Sequence, residues 1–170
     1  PRNNPRGRHT RWLTALMTAD TAGESVRNLN QGPMSSHYHW RDSGSIVCYS
    51  NWNGTNGLYL YHDSTGEVEA VDPEYFVYDG HCSYSPDRRW LLYDSYPDPE
   101  SYRNLQLYDL TRREGLTLGR FYSMPVSHID IRCDLHPRWS RSGSEITFDS
   151  THEGSRRVYL ADVSSIVGGL

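Results

Sequence analysis

Short alternations of apolar and polar residues recur along the chain, and no segment has a helical period. An alternation with a period of two predicts β-strands. The predicted strands fall into two groups. The first group lies at 46–50, 90–95 and 145–150, and the second group lies at 58–62, 105–109 and 158–162. Another run of the second group lies at 16–20. Polar turns follow these runs, as is typical of hairpin connections.

A histidine begins each repeat of this pattern. His37, His81 and His136 each lead by three residues to an aromatic side chain, and a polar turn and a strand follow. Four short strands in a period of about 40–50 residues predict the blades of an all-β propeller. A sandwich or small barrel would not explain a histidine at the same place in every repeat. The predicted units are a partial blade at 9–30 and four-stranded blades at 33–72, 77–120 and 132–164.

The number of blades raises the question of closure. Propellers usually close with about four to eight blades, and the three and a half predicted here leave sheet flanks without a neighbour. We therefore expect the chain to form part of a larger ring. Either another chain or further sequence would complete that ring.

Composition and charge narrow the classes of function. The net charge is −4, and arginine carries all the positive side-chain charge because there is no lysine. A mildly acidic chain is not expected to bind nucleic acid, and Schiff-base or Walker-type lysine chemistry is excluded. Three cysteines without a CxxC spacing argue against a disulfide scaffold or a Cys-rich zinc site. No apolar run has membrane-spanning length, and we expect a cytoplasmic protein, although a removed signal peptide would leave no trace in this sequence.

The propeller prediction brings distant residues together. The innermost strand of each blade lines the central channel, so residues at its start converge near the axis. We therefore predict a cluster of His37, His81 and His136, with Asp134 in the loop before the third histidine. Neutral imidazoles and a carboxylate suit a divalent metal such as Mn, Fe, Ni or Zn, and the ligands alone do not select among these. The alternative is that the repeated histidines form hydrogen bonds between blades.

Other residues are expected on the same face or have structural explanations. Asp94 and Asp149 end strands that return to this face, and His39 shares a side of its strand with His37. Packing between blades is predicted for three aromatic residues, Trp40, Tyr84 and Trp139. The arginine pairs at 88–89, 112–113 and 156–157 lie in or near turns and are predicted to be solvated.

Two segments carry a resemblance to a known family. The sequences GHCSYSPD (80–87) and HPRWS (136–140) resemble the TolB-type propeller repeat. Together with FDSTHEG (148–154), they are similar to the oligogalacturonate lyase family, and most of all to related bacterial propellers without an assigned activity. The similarity extends from about Leu13 to Val163 and corresponds to the C-terminal half of a seven-bladed ring. It implies β-elimination of short pectin-derived uronides with a manganese ion held by three His and a Gln.

The resemblance assigns metal-binding roles to some positions. His81 and His136 match two of the metal histidines, and His37 matches a histidine of the preceding blade near the active site. Asp134 stands where the family has its other metal histidine, and Ile131 stands where it has the Gln. The resulting candidate ligands are His37, His81, Asp134 and His136, with Mn as the metal that the resemblance implies.

The catalytic position departs from the family pattern. The arginine that serves as base in the family aligns on Ala15, and Arg11 lies nearby but out of register. Arg132, in the loop before His136, and His39 are the remaining candidates for a catalytic role. The expected function is a carbon–oxygen lyase that acts on, or binds, acidic oligosaccharides. The alternative is a non-catalytic propeller that serves as a protein- or glycan-binding platform.

Overall fold

Consecutive antiparallel sheets make up the protein, as seen in a computed structural model that describes residues 13–128 and 131–168. The chain starts with a two-stranded sheet of β1 (Met17–Thr18) and β2 (Arg27–Asn28). The first blade consists of β3 (Ser35–Asp42), β4 (Ser45–Trp52), β5 (Thr55–His62) and β6 (Val68–Ala70). The second blade consists of β7 (Cys82–Tyr84), β8 (Trp90–Asp94), β9 (Tyr102–Asp109) and β10 (Glu114–Tyr122).

The third blade has three strands within the described residues. They are β11 (Arg138–Trp139), β12 (Glu145–Ser150) and β13 (Arg157–Asp162), and a single helical turn, α1 (Ser164–Val167), follows them. In every blade the strands pair in sequence order and antiparallel. This up-and-down order is that of propeller blades, so the all-β propeller prediction is confirmed.

The hydrophobic core lies in layers between successive sheets. On β4, Val47 and Tyr49 pack towards the second blade, whereas Ile46 and Cys48 pack towards the two-stranded sheet. The buried side chains of β8 divide in the same way between the first and the third blade. Because successive side chains of a strand point to opposite faces, a strand between two neighbouring sheets is apolar along its whole length. This packing explains why the middle strands are apolar almost throughout.

The exposure of Trp40 corrects one of the predictions of packing between blades. Tyr84 is buried and Trp139 donates its indole N–H to the Ser83 carbonyl of the neighbouring blade at 3.2 Å, but Trp40 is 44% exposed. Trp40 therefore contributes little to packing between blades. Within the described part of the chain, no helix is long and apolar enough to cross a membrane.

Candidate functional site

Three histidines from consecutive blades form a row at one end of the inner strands. His37 lies on β3, His81 immediately precedes β7, and His136 precedes β11. The ring centroids of His37 and His81 are 4.0 Å apart, and those of His81 and His136 are 3.8 Å apart. The repeat therefore places equivalent side chains next to one another, although they are far apart in sequence.

Asp94, at the end of β8, fixes two members of this row. Its carboxylate accepts hydrogen bonds from the backbone N–H of His81 at 2.7 Å and of His136 at 3.0 Å. It also lies 3.0–3.1 Å from His81 Nδ1. A proton on Nδ1 satisfies this contact and leaves the Nε2 lone pair of His81 available, which is the usual arrangement of a carboxylate behind a metal-binding histidine. Asp94 is only 1% exposed, so its contacts are shielded from water.

A second aspartate orients the first histidine. Asp79 accepts a hydrogen bond from Ser36 at 2.7 Å, and its other oxygen lies 3.0 Å from His37 Nδ1. This contact favours the tautomer of His37 with a proton on Nδ1 and a free Nε2. Asp79 precedes His81 by two residues in the sequence. Its side chain nevertheless contacts His37, the histidine of the preceding blade, rather than the histidine of its own blade.

Asp134 occupies the equivalent position before His136 but contacts two arginines. Arg132 donates to one carboxylate oxygen through Nε at 2.9 Å and Nη2 at 2.6 Å. Arg103 Nη2 lies 2.5 Å from the other oxygen, as an ion pair without the alignment of a hydrogen bond. Arg103 and Asp134 are both buried, at 1% and 5% exposure. The guanidinium of Arg132 also lies over the ring of Tyr96, 4.9 Å from its centroid.

The surroundings change the proton affinities of these groups. Burial lowers the pKa of His136, and the neighbouring His81 lowers it further. Burial also lowers the pKa of Arg103, and the attraction of Asp134 offsets this lowering only in part. For Arg132, burial acts in the same direction but hydrogen bonding to Asp134 outweighs it, so its pKa is raised. The lowered pKa favours the neutral form of His136, which is the form that binds a metal, and the raised pKa favours the cationic form of Arg132.

Three of the four predicted ligands can meet at one point. Ligand atoms of His81, Asp134 and His136 lie within 4.8 Å of one another, whereas His37 is not a member of this group. Two neutral imidazoles and one carboxylate are a donor set that divalent Mn, Fe and Zn accept. The residues therefore fit a metal of this class, provided that Asp134 turns one oxygen away from an arginine.

The other predicted residues lie apart from this group. His39 is half-buried on the same side of β3 as His37, beside Tyr84 at 6.1 Å between ring centroids, and burial lowers its pKa. Asp149 lies 3.3 Å from Arg138 and contacts none of the three histidines. Ala15 and Ile131 are exposed, and Arg11 lies outside the described residues.

Sequence reasoning missed Asp79 and Arg103. A signal for Asp79 was present, because the pattern Asp-x-His occurs at both Asp79-Gly80-His81 and Asp134-Leu135-His136. No comparable signal marks Arg103, since a charged residue is normally assigned to the surface.

Two solved structures show the class of fold to which these sheets belong. TolB from Acinetobacter baumannii superposes with a TM-score of 0.69 at 22% identity, over 87% of this chain and 35% of that one. Oligogalacturonate lyase from Vibrio parahaemolyticus superposes with a TM-score of 0.64 at 18% identity, over 86% of this chain and 41% of that one. The chain thus has the fold of the TolB and oligogalacturonate lyase β-propellers, which confirms the resemblance at the level of fold, and it spans less than half of either protein. No protein-family profile and no curated protein sequence matches the chain.

Proposed function

We propose that the cluster of His81, His136 and Asp134 binds a divalent metal, manganese by resemblance, and that the metal-loaded site binds the carboxylate of an acidic oligosaccharide. The observation that carries this proposal is the convergence of the three ligand groups within 4.8 Å. The buried carboxylate of Asp94 supports it, because it lies 3.0 Å from His81 Nδ1, where such a partner orients the ligand and raises its basicity. It also accepts the backbone N–H of His136.

The charged groups around the cluster suit an anionic saccharide. Arg132 is partly exposed beside Asp134, so it is placed to pair with a uronate carboxylate at the rim of the site. Arg103 is buried behind Asp134 and supplies positive charge without reaching solvent. A bound metal would stabilise the negative charge that develops on the uronate when the proton next to its carboxylate is lost.

β-Elimination also requires a base within reach of that proton. The raised pKa of Arg132 makes it unsuitable, and Ala15 has no titratable group. His37 is better suited, because Asp79 holds its Nδ1 and its ring lies beside His81. In this proposal Nε2 of His37 accepts the proton, and the electron pair of the C–H bond forms the carbon–carbon double bond. The bond to the leaving sugar oxygen breaks, and that oxygen takes a proton from water.

The test separates binding from catalysis in single variants. Calorimetric titration with a galacturonate trimer should show binding that requires Mn²⁺ and that is lost in His81→Ala. His37→Gln should keep this binding but lower the rate of unsaturated-product formation by about 10²–10⁴-fold. The matched control is His39→Gln, two residues further along the same strand, which should change neither. Equal binding of a neutral oligosaccharide, or unchanged turnover in His37→Gln, would reject the corresponding step.

A non-catalytic binding platform is the second candidate function. The observation that favours it is the clamp on Asp134, whose two oxygens each contact an arginine. If this clamp persists in solution, the wild-type protein will bind no stoichiometric metal. The expectation that another chain or further sequence completes the ring stays a prediction. Val158 and Leu160 on β13, exposed by 66% and 64%, are surface that an added blade would cover.

A further inference from the structure

A polar cavity lies at the opposite end of the strands from the histidine row. It has a volume of about 380 Å³ and is formed between the first and second blades. The end of β3, the β7–β8 turn and the β9–β10 turn each contribute to its wall. Four arginines line it, Arg41, Arg88, Arg89 and Arg113, together with the carboxylates of Asp42 and Glu69. Both blades that form the cavity are complete, so the site does not depend on closure of a ring.

The cavity has more positive charge than its own carboxylates neutralise. Arg41 pairs with Asp42 at 3.5 Å, whereas Glu69 is bound to His62 at 2.7 Å. Arg88 and Arg113 have no carboxylate partner among residues 13–128 and 131–168. Both side chains are exposed, as predicted for the arginine pairs, and both also line this cavity.

Arg89 reinforces the positive character of the wall. It is mostly buried and forms an ion pair with Asp109 at 2.7 Å. Its Nε is buried and has no hydrogen-bond partner in the described part of the chain. A buried guanidinium N–H without a partner favours a ligand or water that supplies an acceptor oxygen.

The backbone at the two unpaired arginines is unusual for their residue type. Arg88 and Arg113 have φ values of 62° and 59°. The equivalent turn positions in the neighbouring blades are glycines, Gly143 with φ of 76° and Gly66 with φ of 74°. Backbone hydrogen bonds define the equivalence. The N–H of Arg88 donates to the Ser85 carbonyl, as the N–H of Gly143 does to the Ser140 carbonyl. The N–H of Arg113 donates to the Asp109 carbonyl, as the N–H of Gly66 does to the His62 carbonyl. Arginine thus stands in the second blade at two positions where glycine would be free of strain.

We propose that this cavity binds a phosphate group, either as inorganic phosphate or as a small phosphomonoester. The four guanidinium groups outnumber the three carboxylates beside them, Asp42, Glu69 and Asp109, and guanidinium forks pair with phosphate oxygens in bidentate geometry. The cavity is larger than a phosphate alone, and Leu60, Val71 and Leu110 provide an apolar part of the wall for the rest of an ester. The site is independent of the proposed metal centre.

The test uses variants that should not harm the fold. Arg88→Gly and Arg113→Gly each remove a guanidinium and relieve the positive-φ strain, so their melting temperatures should equal or exceed that of the wild-type chain. Titration with phosphate and with a sugar phosphate, without metal and at constant ionic strength, should show saturable binding to the wild type. Each variant should weaken it at least about tenfold, the effect expected from loss of one hydrogen bond to a charged group. The matched control is Arg141→Gln, in the equivalent turn of the third blade, which should bind as the wild type does.

The outcomes decide both the site and its ligand. Tighter binding of the sugar phosphate than of phosphate identifies an ester site, and equal binding identifies a site for phosphate itself. Absence of saturable binding to the wild type would overturn the proposal. Retained binding in the double variant of Arg88 and Arg113, or an equal loss in Arg141→Gln, would also overturn it.

Discussion

Replacing Asp94 with asparagine tests the arrangement behind the histidine row. The change keeps the shape of the side chain but turns one acceptor oxygen into an N–H₂ donor. If the amide oxygen continues to accept from the backbone of His81, the amide nitrogen faces the backbone N–H of His136, which then loses its acceptor. His81 Nδ1 would keep the amide oxygen at 3.1 Å as an acceptor but lose the charged carboxylate and face an N–H₂ donor at 3.0 Å.

The expected cost follows from these contacts. A hydrogen bond to a charged group contributes about 1.5–3 kcal/mol, and a buried donor left without a partner adds to the loss. We expect Asp94→Asn to lower the free energy of unfolding by about 2–4 kcal/mol. The melting temperature of a chain of this size should fall by about 2–4 °C for each kcal/mol. Metal affinity should fall by about 10–100-fold, because a neutral amide replaces the carboxylate that orients His81 and raises its basicity.

Asp149→Asn is the matched control, because Asp149 holds the equivalent position in the third blade, one residue before the end of β12. Within residues 13–128 and 131–168, its carboxylate forms an ion pair only with the half-exposed Arg138, at 3.3 Å, so the loss should stay below about 1 kcal/mol. Urea unfolding followed by circular dichroism measures both variants, and calorimetric titration measures metal affinity. A loss below 1 kcal/mol in Asp94→Asn, or an equal loss in both variants, would refute the reasoning.

Three other perturbations have defined outcomes. Arg103→Met breaks the buried ion pair with Asp134 and should cost about 3 kcal/mol in urea unfolding, and a neutral result would show that the pair is not buried in solution. Gly80→Ala would place a Cβ 1.8 Å from the carbonyl oxygen of Asp94, so it should destabilise the chain by about 1–3 kcal/mol, and unchanged stability would contradict this close approach. Burial raises the pKa of the Cys48 thiol to about 12, and the other two cysteines are buried as well. A thiol reagent at pH 8 should therefore leave the native chain unmodified and label all three cysteines after unfolding. Rapid labelling of the native protein would contradict the buried positions.

The propeller could be predicted from the sequence because the repeat shows both the pattern of each strand and the order in which the strands follow one another. A histidine, an aromatic residue, a tight turn and an apolar strand recur in the same order, and the sheets follow that order. The convergence of His37, His81 and His136 could also be predicted, since equivalent positions on inner strands meet near the channel.

The contacts of the charged residues could not be predicted in the same way. Arg103 is buried against Asp134 although a charged residue is normally assigned to the surface, because its partner is distant in sequence. Asp79 reaches the histidine of the preceding blade, which only the packing of adjacent sheets determines. The cavity lined by Arg88 and Arg113 likewise depends on how two turns from one blade meet the neighbouring blade.

Metal stoichiometry tests the central claim most directly. Equilibrium dialysis against Mn²⁺, followed by elemental analysis, should give about one ion per wild-type chain. His81→Ala and His136→Ala should each lose the ion. The control His62→Ala should retain it, because His62 lies on β5 and is bound to Glu69 and Ser45, away from the row. A wild-type chain without stoichiometric metal, or retention of the ion in His81→Ala, would contradict the account.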